Sequence, residues 1–188
     1  MTGPVLVIEL AEAPSDATLL RLRDVLKEAS SSFGELRRGE YDLSVRPERL
    51  GIPDDADAQG TENSRHRPVR VSVMGPGIGD GTVFAAEHAY DSDEPDPEPL
   101  IGFTPTHAVD VIAFCGAPVD HVVTALLTAA VMDVTGGIAN AELRADQAEL
   151  VEGLPGLVAT TTTPRPAAYG SAAFLRAWAS RPGFRLLN

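Results

Sequence analysis

Cys115, Asp120 and His121 lie within one short run, Cys-Gly-Ala-Pro-Val-Asp-His. A thiol hydrolase or transferase needs such a set: a cysteine within hydrogen-bond reach of a histidine that a carboxylate, here Asp120 or Asp110, holds in place. A helix N-terminus close to a sulfur favours the thiolate. The same residues also have a plainer explanation. Cys115 ends an apolar run, where small buried cysteines are common. Pro118 and Asp120 are what the first turn of a helix requires. The plainer explanation is preferred, and Cys115, His121 and Asp120 stand as the catalytic alternative.

Other chemistries find less support. The chain holds one cysteine, which excludes an internal disulfide and a multi-cysteine zinc site. His66, His88, His107 and His121 are scattered without the spacing of a helical metal site, and Glu87 and His88 are expected on opposite faces of one strand. No metal and no cofactor is therefore expected. Gly75-Pro-Gly-Ile-Gly-Asp-Gly81 raises the question of phosphate binding. It lacks a following Lys-Ser/Thr pair, and a strand rather than a helix N-terminus is expected after it, so it reads as a hairpin loop.

Charge leaves two readings: an acidity common to many cytoplasmic proteins, which is the plainer one, and a surface for a basic partner. With 27 acidic against 15 basic residues the net charge is −12, which disfavours sequence-independent nucleic-acid binding and favours steered encounter with a basic protein. The carboxylates cluster in two polar stretches. In Asp91–Pro99, Pro95 and Pro97 spoil any calcium loop; a solvated acidic loop is the plainer reading, and Asp93, Glu94, Asp96 and Glu98 are the first candidates for partner contact. Asp54, Asp55 and Asp57, in the stretch 51–67, come second. Both stretches are expected to be exposed.

The elements that would position these residues follow from periodicity. Val5–Leu10 reads as a central strand. Ser15 or Asp16 caps a helix to about Ser30, with Leu19, Leu22, Leu26 and Ala29 on its buried face, and Gly34 closes that element. Tyr41, Leu43 and Val45 alternate with polar residues, as do Val69, Val71 and Val73, and each set predicts a strand. Thr82–Tyr90 is expected to pair with the second of these as a hairpin. Val109–Phe114 is a core strand, Pro118–Val134 the central helix, and Gly136-Gly137 its stop. Asp133 opposes the dipole of that helix, so an offsetting partner is expected: an internal arginine or a capping interaction, with contact to a binding partner as the weaker alternative. Ile138–Leu143 and Leu157–Thr163 read as strands, and Ser171 caps a last helix with Phe174, Leu175 and Trp178 on one face.

Several strands follow one another, which predicts an α+β fold: a mixed or antiparallel sheet of six to seven strands covered by three helices. At 188 residues, one globular domain spanning 1–188 is expected. The start of the chain lacks a basic segment, and the apolar run Val122–Val134 is too short to span a bilayer. A cytoplasmic location is therefore expected.

Two segments carry a resemblance. Cys115–His121, continued through Leu126 and Leu127 to Gly136-Gly137-Ile138, resembles a pattern of small bacterial immunity-type proteins, where a Cys-x(n)-Asp-His turn opens a helix that ends in a Gly-Gly-hydrophobic step. The C-terminal Phe-Leu-Arg-Ala-Trp helix and its tail resemble the end of an uncharacterised family of the same kind. The resemblance implies a protein that neutralises a toxin domain by direct binding, without catalysis. Its carboxylates would fill the basic cleft of that domain.

Overall fold

The computed structural model describes residues 3–53, 66–87, 97–163 and 165–187. Their eight strands form one antiparallel sheet: β1 (Val5–Leu10), β2 (Ser30–Arg37), β3 (Glu40–Val45), β4 (Arg67–Met74), β5 (His107–Ala113), β6 (Ile138–Glu142), β7 (Leu157–Thr161) and β8 (Ala167–Gly170). The order across the sheet is β2-β3-β4-β5-β1-β6-β8-β7, so β1 is central, as expected. Among the described residues there are six α-helices, α1 (Asp16–Ala29), α2 (Gly81–Glu87), α3 (Glu98–Ile101), α4 (Pro118–Thr135), α5 (Ala148–Val151) and α6 (Ala172–Ala179). The fold is α+β as predicted, with more elements of both kinds.

Alternation along the strands makes the two faces of the sheet different. Leu6, Ile8, Val109, Val111, Val69, Val71, Val73, Tyr41, Leu43 and Val45 share one face and are buried. On this face α4 lies between α1 and α6. Helix α1 begins where predicted, with Ser15 Oγ accepting from the Thr18 amide at 3.1 Å. Such a cap stabilises a helix by about 1 kcal/mol. Leu19, Leu22, Leu26 and Ala29 are its buried residues. Helix α4 spans 18 residues and is the one described helix long and apolar enough to cross a membrane, although 61% of it is buried inside the molecule. Its buried threonines are satisfied locally, Thr124 Oγ1 donating to Asp120 O and Thr128 Oγ1 to Thr124 O.

Gly137 explains the glycine step after α4. Its φ is +88°, and a Cβ there would stand 2.5 Å from the Glu9 carbonyl oxygen. The chain can re-enter the sheet beside β1 only because this residue has no side chain.

Three expectations are corrected. Ser30–Arg37 is an edge strand that leaves α1 without a loop, so Gly34 lies inside a strand instead of ending a helix. Its polar sequence shows no period, and pairing with β3 makes it a strand. Of the expected hairpin strand Thr82–Tyr90, 88–90 lies outside the described residues, and the described part Thr82–Glu87 belongs to a helix. Here Asp80 Oδ1 accepts from the amides of Thr82 at 3.0 Å and Val83 at 3.2 Å, which satisfies donors that an opening helix leaves unpaired. Third, the stretches 51–67 and 91–99 are not wholly exposed loop: Ile52 and Arg67 are buried, and Glu98 opens α3. Strand β8 is an addition that the sequence reading lacked.

Candidate functional site

The three residues of the catalytic alternative have separate tasks. Cys115 is exposed, contrary to the expectation of a buried structural cysteine. It follows β5 in the turn that leads to α4. Asp120 is fully buried, and its Oδ2 accepts from the Ala117 amide at 2.7 Å, which caps α4. Its Oδ1 lies 3.6 Å from Nη1 of the buried Arg67, with side chains only 1% and 9% exposed respectively. His121 is buried, and its Nδ1 accepts from the Leu186 amide at 3.2 Å. The proton of the neutral ring therefore sits on Nε2. Burial holds the imidazole pKa below its usual value; the positive charge of Arg185 acts in the same direction, against a smaller opposing effect of the Gly116 carbonyl. Among the described residues Cys115 and His121 share no hydrogen bond. Asp110 is on the sheet face opposite α4, since its neighbours Val109 and Val111 face the helices. It is therefore not placed to orient His121.

The glycine-rich loop does lead into a helix, contrary to expectation, but α2 already holds its own anion. The Asp80 carboxylate occupies the first-turn amides, and its pKa is lowered, first by the Thr82 hydroxyl and then by the amides of Val83 and Thr82. Arg37 and Arg38 flank the loop. Arg37 bonds Glu40 at 2.5 Å, and Arg38 bonds Asp16 at 2.5 Å. A Cβ at Gly79 would lie 2.0 Å from the Val73 carbonyl oxygen, so chain packing accounts for the glycine. Among the described residues no three His, Cys, Asp or Glu side chains are grouped to hold a metal ion.

The face of the sheet away from the core helices is the more informative surface. Phe114 is 47% and Val5 39% exposed. Val5 pairs directly with Ile112, and Ile112 with Arg70, so these side chains share this face. Phe114 continues the line: its amide donates to the Pro68 carbonyl at 3.0 Å. Pro68 is exposed and Ile112 half-buried. The Arg70 guanidinium lies 5.6 Å from the centroid of the Phe114 ring while forming a two-bond pair with Asp42, at 2.8 and 3.3 Å. The result is a strip of apolar surface bordered by a fixed ion pair.

Toward the other end the same face becomes polar and closed. Glu9 and Asp110 are buried carboxylates on adjacent strands, opposite Ala108 and Val7 respectively, which makes them diagonal neighbours. Asn140 Nδ2 donates to Glu9 Oε1 at 3.1 Å. Helix α3 packs here, with Ile101 against Ala167 and Tyr169. Glu98 is in its first turn, exposed, and accepts from the Thr104 hydroxyl at 2.7 Å. It is the one predicted partner-binding residue among those described; Asp54, Asp55, Asp57, Asp93, Glu94 and Asp96 lie outside them. Sequence reasoning passed over Val5, Ile112, Phe114, Glu9 and Asn140 as site residues. The available signal was a carboxylate at Glu9 within an apolar strand.

Asp133 met its expected partner: Arg176 of α6 forms a two-bond pair with it, one of them 3.3 Å long.

No curated protein and no solved structure matches the chain. A family model does match it over residues 2–188, and the chain belongs to that family, the family of unknown function DUF6368.

Proposed function

We propose that this chain is a non-catalytic binding protein of the immunity type, which neutralises a basic toxin domain by covering part of its surface. The observation that carries the reading is the apolar strip of Phe114, Ile112, Val5 and Pro68, open to solvent on the face opposite the core helices. Contiguous exposed apolar surface with a charged border is characteristic of protein interaction sites. Charge supports a basic partner. The net charge of −12 accelerates encounter with a cationic surface, and Glu98, with Asp93, Glu94 and Asp96 before it in sequence, would contribute to that steering. The Cys115 alternative has less behind it, because His121 gives its acceptor nitrogen to the backbone of Leu186 and Asp120 serves Ala117 and Arg67.

The test is capture from native host lysate with wild type and Phe114→Asp in parallel, followed by mass spectrometry. A basic protein held in stoichiometric amount by the wild type, released by raised salt and lost with the variant, supports the reading. Identical capture by both forms, or none by either, overturns it. Charge reversal across Asp93, Glu94, Asp96 and Glu98 should slow association with that protein and flatten its salt dependence.

A further inference from the structure

The last described residues, Pro182–Leu187, have no regular secondary structure yet are held firmly. Phe184 and Leu186 are buried. Their backbone is bound by two side chains. Gln147, itself buried, donates from Nε2 to the Gly183 carbonyl at 3.0 Å and accepts at Oε1 from the Arg185 amide at 3.0 Å. His121 Nδ1 accepts from the Leu186 amide at 3.2 Å. The ring of Phe184 meets the edge of Trp178, with centroids 5.0 Å apart.

We propose that this segment is a strap docked by neutral His121, and that protonation of the imidazole releases it. The inference does not depend on the binding role above. An imidazolium has no acceptor. Once Nδ1 carries a proton, two donors, Nδ1–H and the Leu186 N–H, face each other in a buried site, and a hydrogen bond becomes a repulsion.

The surroundings do little to stabilise the cation. Arg185 from the strap and Arg144 from the segment after β6 both disfavour it. The first turn of α4 places the ring at the positive end of the helix dipole. The adjacent Asp120 carboxylate serves Ala117 and Arg67. On α6, Arg176 is engaged by Asp133. Among the described residues, the Gly116 carbonyl opposes the trend. The sign follows directly. Because the docked imidazole has a lowered pKa, docking is fully stable above the ordinary value of about 6.5 and weakens as pH falls toward the lowered one. The segment contributes no strand to the sheet, so its opening is expected to be local.

The molecule carries its own reporter, since Trp178 is the only tryptophan and is fully buried. Its emission and the exchange of the Arg185 and Leu186 amides would be followed from about pH 8 to about pH 5, with far-UV circular dichroism monitoring the sheet. The expected result is a red shift with a one-proton midpoint below about 6.5 at constant dichroism. Exchange of the two amides, corrected for intrinsic pH dependence, should rise up to about tenfold per pH unit between the free and docked pKa values. His121→Asn supplies a non-titrating oxygen near the position of Nδ1 and should remove the transition. Constant Trp178 emission and constant strap protection across the range overturn the proposal, as does an unchanged midpoint in the variant. Should the variant fail to fold, the wild-type exchange decides: opening confined to the strap supports the latch, and uniform loss of protection refutes it.

Discussion

Replacing Asp120 by asparagine separates a structural role from a catalytic one. The substitution keeps an oxygen that can accept from the Ala117 amide, now 2.7 Å from Oδ2, but removes the charge that faces Arg67 Nη1 at 3.6 Å. With side chains 9% and 1% exposed, neither member of the pair is screened by water. Removing one partner of a buried ion pair costs about 3–5 kcal/mol, because the remaining charge stays desolvated. The asparagine carbonyl can still face the guanidinium, which places Asp120→Asn near the lower end, about 3 kcal/mol. Asp120→Ala removes the cap as well and adds about 1–2 kcal/mol. In a chain of this length, about 3 kcal/mol corresponds to a fall in Tm of roughly 6–12 °C. Urea denaturation of wild type, Asp120→Asn, Arg67→Met and the double variant yields the coupling directly. The double variant should be less destabilised than the sum of the singles, with a coupling of about 1–3 kcal/mol. If Asp120→Asn shifts stability by under about 0.5 kcal/mol, the pair is not structural and the reasoning fails.

Two further outcomes are expected. At the glycine step, Gly136→Ala should cost about 1–3 kcal/mol for its φ of 71° and ψ of −151°. Gly137→Ala should cost more, about 3 kcal/mol or beyond, since a Cβ 2.5 Å from the Glu9 oxygen adds overlap to a φ of +88°; equal denaturation midpoints for the two variants would contradict this. Cys115 is exposed, so iodoacetamide should label it in the native state, and Cys115→Ser should retain both Tm and partner capture. Labelling only after unfolding would show that the sulfur is covered.

Much of the frame was legible because it rests on local period. Leu19, Leu22, Leu26 and Ala29 declare the buried side of α1 with no help from the rest of the chain. Val69, Val71 and Val73 do the same for β4. Where a residue's environment comes from distant chain, the reading missed or erred. Strand β8, Ala167–Gly170, consists mostly of small residues without a strand signature, and pairing with β6 and β7 defines it. Thr82, Val83 and Phe84 are good strand residues, and one carboxylate, Asp80, turned the segment into a helix.

The site divides in the same way. Sequence alone determined that a strand, a tight turn and a capped helix meet at 107–121, because alternation, Pro118 and Asp120 are local signals. It also predicted a partner for Asp133. Tertiary structure alone decided that Asp110 and His121 belong to opposite sides of the sheet. Period two states that neighbouring residues part company, but which side carries helices depends on what packs there. It likewise decided that His121 serves the C-terminal strap, 65 residues away in sequence, and that Phe114, apolar in a run of apolar residues, faces solvent. Hydrophobic sequence reports a preference for burial. Whether a given face finds a cover is settled only when the whole chain has folded.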